Sequence, residues 1–165
     1  MQLTEHFTLA ELVRSDMAAR HGLRNMPDDA GIERLRALCV AILEPVRAHF
    51  GRPVAVNSGY RSVALNAKIP GSSNRSQHSM CEAVDFEVSG HANAEVAWWV
   101  RDHLAFDQLI LEAYVAGDPH SGWVHVSWKP AGRRGRDGRN GVLTMQRRRD
   151  AAGKLRNVYL PGLRP

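Results

Sequence analysis

Residues 76–88 read SQHSMCEAVDFEV, and the last six alternate as a half-buried strand does. Val84, Phe86 and Val88 fall on one face, while Ala83, Asp85 and Glu87 fall on the other. A second run, WVHVSWK at 123–129, alternates in the same way: Trp123, His125 and Ser127 share one face, and Val124, Val126 and Trp128 the other. Each strand thus buries an apolar face and presents one potential metal ligand, Asp85 or His125, on the opposite face. His78 lies in the loop before the first strand. If the two strands are neighbours, Asp85 and His125 converge and His78 completes the set. One carboxylate and two imidazoles suit Zn²⁺, and three protein ligands leave a fourth coordination position for water. The pattern points to a metallohydrolase.

The rest of the chain supplies helices first and mostly short strands afterwards. Thr8 and Glu11 form the signature of a capping box, so a first helix is expected over 9–21, closed by Gly22. Pro27-Asp28-Asp29 opens a second helix whose apolar residues, from Ile32 to Phe50, recur at helical spacing; Pro45 should interrupt it and Gly51 end it. PVAVNSGY (53–60) reads as a strand, RSVALNAKI (61–69) as a short helix, and 70–82 as loop. A helix over 93–106, with Asn93 as N-cap, and strands over 107–114 and 142–148 complete the reading. This order argues for an α+β fold in a single domain, 1–165.

The chain has 165 residues and a net charge of +5, unevenly spread. Residues 1–128 carry 11 Lys/Arg against 15 Asp/Glu; residues 129–165 carry 11 against 2, including GRRGRDGRNG (132–141) and QRRR (146–149). This basic end, taken as part of the same domain, favours anionic partners such as acidic envelope polymers. It has no nucleic-acid-binding motif and few aromatics beside its arginines, so no specific nucleic acid is expected. No apolar run approaches the roughly 20 residues of a membrane span, and the start, MQLTEHFTLAEL, lacks the features of a secretory signal. Synthesis in the cytoplasm, with any action on the cell wall following release, is the expectation. Two cysteines, Cys39 and Cys81, make no disulfide framework.

A further motif, NSGYRSVALN (57–66), ends one strand and opens a helix. With SQHSMCEAVDF, FDQLILEAY and GWVHVS in this order, the chain resembles the zinc D-Ala-D-Ala carboxypeptidase and peptidoglycan L,D-endopeptidase family, and within it the compact phage and prophage branch. The likeness runs from HFTLAELVRSD to VYLPGL. It implies a central antiparallel sheet with helices mainly on one side and a zinc site at the sheet. It makes His78, Asp85 and His125 the zinc ligands, Arg61 the cation beside the scissile bond, and peptidoglycan peptide stems the substrate of what is expected to be a monomer.

Two positions depart from the family's pattern. Several members place an acid three residues before the last histidine ligand, where this chain has Gly122. Glu112, at the end of DQLILEAY, and His120, in the loop DPHSGW, are the substitutes for a general base; a strand-borne carboxylate is held more rigidly than a loop histidine, which favours Glu112. The family's motif also has glycine where this chain has Cys81. Either the loop adjusts, or the thiolate closes the site as a fourth ligand, or the loop is destabilised. These departures leave a second reading beside the lysin-type peptidase: a catalytically silent zinc fold that binds cell wall or structures a virion.

Overall fold

The structure is a computed structural model that describes residues 1–70, 72–73, 75–130 and 141–164. One six-stranded sheet organises the chain: β1 (Val54–Ser58), β2 (Ala83–Val88), β3 (Gln108–Glu112), β4 (Trp123–Ser127), β5 (Gly141–Arg149) and β6 (Leu155–Pro161). Their order across the sheet is β1-β2-β4-β3-β5-β6. Neighbours are antiparallel except β3 and β5, which run parallel. A parallel pair needs a long crossover rather than a tight turn, and here β4 and the segment after it intervene. The α+β fold expected from the sequence is the one adopted, with that one parallel pair added to an otherwise antiparallel sheet.

Among the described residues, six α-helices accompany the sheet: α1 (Leu9–Val13), α2 (Asp16–Arg20), α3 (Asp29–Leu38), α4 (Glu44–Phe50), α5 (Val63–Asn66) and α6 (Asn93–His103). The capping box is present, with Thr8 and Glu11 bonding each other's backbone. The single helix expected over 9–21 is two. Arg14 turns extended at ψ 132°, and the Ser15 hydroxyl accepts from the Ala18 amide to start α2. The regular α-helix is interrupted ahead of Pro45, as expected. The proline sits in the first turn of α4, after a π-helical turn at Cys39–Leu43 that absorbs its missing donor. Gly51 closes α4 in the left-handed region at φ 61°. Asn93 opens α6 as its first residue, with Ala92 as N-cap. β6 was not foreseen, because LRNVYLP is embedded in a basic stretch.

The core lies between the helices and one face of the sheet. Leu12, Leu35, Leu38, Ile42, Val46, Val96 and Val100 from the helices meet Val84, Phe86, Val124 and Val126 from the strands in one apolar cluster. Those four strand residues are the apolar face read from the alternation, so the polar face, with Asp85 and His125, is turned away from the core. At the loop leading into β2, the core closes tightly around α3. A Cβ added at Gly31 would meet the Pro27 Cβ at 2.8 Å and the Cys81 Sγ at 3.0 Å. Gly31→Ala should therefore reverse its usual sign. A helix interior normally gains about 1 kcal/mol from this change, but overpacking costs about 1–3 kcal/mol. A urea titration should show a lower midpoint; a raised midpoint would mean that the contact relaxes freely.

Candidate metal centre

His78, Asp85 and His125 are all buried, and one ligand atom from each lies within 4.8 Å of the others. The strand pairing explains the convergence. Asp85 and His125 are directly opposed across β2 and β4, on the face away from the core. β1 contributes a bulge between Val56 and Ser58 opposite Asp85, a device that re-aims side chains beside a site. His78 comes in on a 3₁₀ turn, Gln77–Met80, just before β2.

Hydrogen bonds set the imidazoles. His78 Nδ1 lies 2.7 Å from the Gly59 carbonyl. A carbonyl only accepts, so Nδ1 carries a proton, and Nε2 faces Asp85 Oδ1 at 3.4 Å, as a donor when the ring is charged and with a free lone pair when it is neutral. A backbone carbonyl holding the non-ligating nitrogen is the usual outer partner of a metal-binding histidine. His125 Nδ1 lies 2.7 Å from the same Asp85 oxygen. Burial alone would raise the Asp85 carboxyl, but the charge of His78 and the hydrogen bonds of both imidazoles outweigh it and hold the pKa well below the ordinary carboxylate range. The group is thus an ionised carboxylate between two imidazoles, the donor chemistry that fits Zn²⁺ with a position left open.

The loop carrying Gly59 is itself fixed from the helical side. The Tyr60 amide donates to the Leu12 carbonyl at 2.7 Å, and a Cβ at Gly59 would lie 2.4 Å from that oxygen. Asn25 spans the same junction: its amide donates to the Val13 and Tyr60 carbonyls and its oxygen accepts from the Ser62 amide. Neither Asn25 nor the steric need for Gly59 is visible in sequence, because both depend on where α1 ends in space.

The group opens into a cleft of about 800 Å³. Arg61 and Glu112 both line it; His120 is exposed on the loop before β4 and does not. Glu112 pairs with Trp123, and Ile110 with His125, so the carboxylate is two residues along β3 from the strand position beside His125, roughly 7 Å. Its pKa is raised, first by burial and then by the Asp85 charge, against the pull of the His125 and Arg61 charges. The buried Trp123 indole N–H completes no hydrogen bond among the described residues. Burial lowers the Arg61 pKa while Asp85 and Glu112 raise it, and its buried Nε has no partner among the described residues. A guanidinium stays charged regardless, so Arg61 is a cation held ready at the cleft wall.

Gly122 cannot carry an acid here. It adopts φ +70°, and a Cβ would fall 1.8 Å from the Glu112 carbonyl. The close approach is held by Asn93, whose amide donates to the carbonyls of His120, Ser121 and Gly122. Ala113, at φ 53°, turns the chain away directly after Glu112.

A family model described as Peptidase M15 matches residues 5–127, which contain all three ligand candidates, Arg61 and Glu112. The chain belongs to the peptidase M15 family. No curated protein matches the chain. Membership makes it a peptidase of a zinc-dependent family whose substrate class is peptidoglycan. Among the described residues, no helix is long and apolar enough to cross a membrane. Of the basic end, 131–140 and 165 lie outside the described residues.

Cys81 does not join the metal group. It takes the left-handed conformation, φ 59° and ψ 34°, that the family's glycine would adopt freely. Its side chain turns inward, into the apolar core beside Gly31, so the fourth-ligand alternative does not hold in this structure. Burial pushes its thiol up to about 11 and that of Cys39 up to about 12. Both therefore stay protonated at pH 8 and are inert as nucleophiles. A disulfide exchange reagent at that pH should label neither cysteine in the native protein and both after denaturation. Rapid native labelling of Cys81 would place its thiol at the surface.

Proposed function

We propose that this peptidase hydrolyses the peptide stems of bacterial peptidoglycan as a zinc enzyme of the lysin type. His78, Asp85 and His125 would hold the metal, Glu112 acts as general base, and Arg61 stabilises the oxyanion. The observation that carries the reading is the half-buried Glu112 carboxylate, lining the metal cleft with its pKa raised, in a chain whose Gly122 has no room for an acid.

Zinc, when bound, polarises a peptide carbonyl and lowers the pKa of a bound water to about 7. The protein's own groups do the rest. Glu112, desolvated and next to the Asp85 charge, is a better proton acceptor than an exposed glutamate. It takes a proton from the attacking water and can return it to the leaving amine. Arg61 presents a fixed fork of donors where negative charge develops on the carbonyl oxygen. Trp123 and Ile110 form apolar floor beside the ligands, excluding water from around the bond. The Asp85 charge keeps both imidazoles oriented without being consumed.

The cleft favours cleavage within a stem over removal of a terminal residue. It reaches from the segment around Ile69 and Arg75 on one side to β5 and β6 on the other, so an extended chain can continue past the metal in both directions. Arg61 serves either case. The silent-fold alternative predicts the same metal with no dependence on Glu112.

Glu112→Gln separates the two. The substitution preserves shape and removes the base, so kcat should fall by about 10²–10⁴ while zinc stoichiometry, measured by elemental analysis, stays at the wild-type value. Unchanged kcat with full zinc would remove Glu112 from the mechanism. Gly122→Asp, made to restore the common acid position, should lower the unfolding temperature and give no gain in rate.

A further inference from the structure

The family match ends at residue 127, yet one wall of the cleft is built from residues beyond it: Met145, Arg147, Asn157 and Tyr159. They sit on the β5–β6 hairpin. Cross-strand pairing sets Arg147 opposite Asn157 and Met145 opposite Tyr159, and strand alternation puts all four on one face. That face is continuous with the metal site, because Ile110 stands beside His125 on one side and Leu143 on the other.

The arginines of this hairpin divide by position. Arg148 donates to Gln146, Arg149 to the Gly153 carbonyl, and Arg156 to Asp150, all within the hairpin. Arg147 alone among them lines the cleft. Of the other cations lining the cleft, Lys129 already stands between Glu82 and Asp107, at 3.7 and 3.9 Å, Arg61 stands beside the metal group, and Arg75 lies on the opposite side. Arg147 brings a planar fork of donors, Asn157 an amide and Tyr159 a hydroxyl, over the apolar Met145. This donor set matches a carboxylate.

We infer that Arg147, with Asn157 and Tyr159, forms a subsite that recognises a carboxylate carried by the stem peptide away from the bond cleaved. The inference rests on the peptidase reading for the substrate's identity. From β4, which carries His125, to β5 is two strand steps, roughly 10 Å. Arg147 also lies four residues along β5 from Leu143, the residue level with His125 across Ile110, which adds roughly 13 Å along the strand. The carboxylate read by Arg147 therefore lies several residues along an extended stem from the scissile bond. The hairpin is thus a specificity element beyond the residues that the family model matches.

The test uses two synthetic stem peptides that differ only in having a free carboxyl or a carboxamide on the glutamate residue. Calorimetric titration of the full chain, kept metal-free with chelator, gives the ratio of the two dissociation constants. The acid should bind about fivefold tighter or more. Arg147→Gln should bring the ratio close to one. Arg148→Gln, which removes the same charge from the opposite face, should keep the wild-type ratio. Equal affinities in the wild type, a ratio retained in Arg147→Gln, or binding of neither peptide would overturn the subsite. The zinc-loaded protein then tests the other reading separately. Discriminating binding without cleavage would refute the peptidase assignment alone, and cleavage of both peptides with equal kcat/KM and equal affinity would refute the subsite alone.

Discussion

A single buried carboxylate oxygen, Asp85 Oδ1, lies 2.7 Å from one imidazole and 3.4 Å from another. Everything around it is arranged so that this contact is possible. An ionised carboxylate is costly to bury without partners, and here two imidazoles compensate it in the geometry that would also hold a divalent cation. The direct opposition of β2 and β4 supplies one imidazole, and the turn before β2, locked by the Gly59 carbonyl, supplies the other. The apolar residues on the reverse face of the same strands anchor the arrangement to the helical layer. A one-residue slip between β2 and β4 would send Asp85 into the core and Phe86 to the cleft.

The helical layer therefore does more than cover the sheet. Its N-terminal part reaches the site through Leu12 and Asn25, which fix the loop carrying Gly59 and Arg61. α6 reaches it from another direction through Asn93, which pins the 120–122 loop against the end of β3. Both devices place rigid backbone behind the reacting groups, which is how catalytic side chains are kept to sub-ångström tolerance. The cost falls on Cys81 and Ala113, the two non-glycine residues held at positive φ among the described residues, each next to an element of the site.

Much of this was legible in the sequence, and the reason is periodicity. Alternation in AVDFEV and WVHVSWK assigns every side chain of those strands to the correct face, which is why the pairing of Asp85 with His125 is legible in the sequence. The capping box at Thr8 and Glu11 was equally local. What escaped was tertiary. The break at Arg14 and Ser15 was hidden by good helix formers on either side. The direction of the Cys81 side chain depends on Gly31, fifty residues away, and the exclusion of an acid at Gly122 depends on the path of β3. The basic end was legible in part: a strand over 142–148 was expected, whereas its partner β6, set among arginines, was not, and that pairing is what brings Arg147 to the cleft.

The central claim is that the buried His78–Asp85–His125 group works as a hydrolytic metal centre on peptidoglycan stems. Mass spectrometry of defined muropeptides, incubated with zinc-loaded protein beside chelator-treated and His78→Ala samples, tests it most directly. The account predicts a stem split at one bond, seen only with the zinc-loaded wild type. Intact muropeptides in the presence of a folded, fully zinc-loaded protein would contradict it.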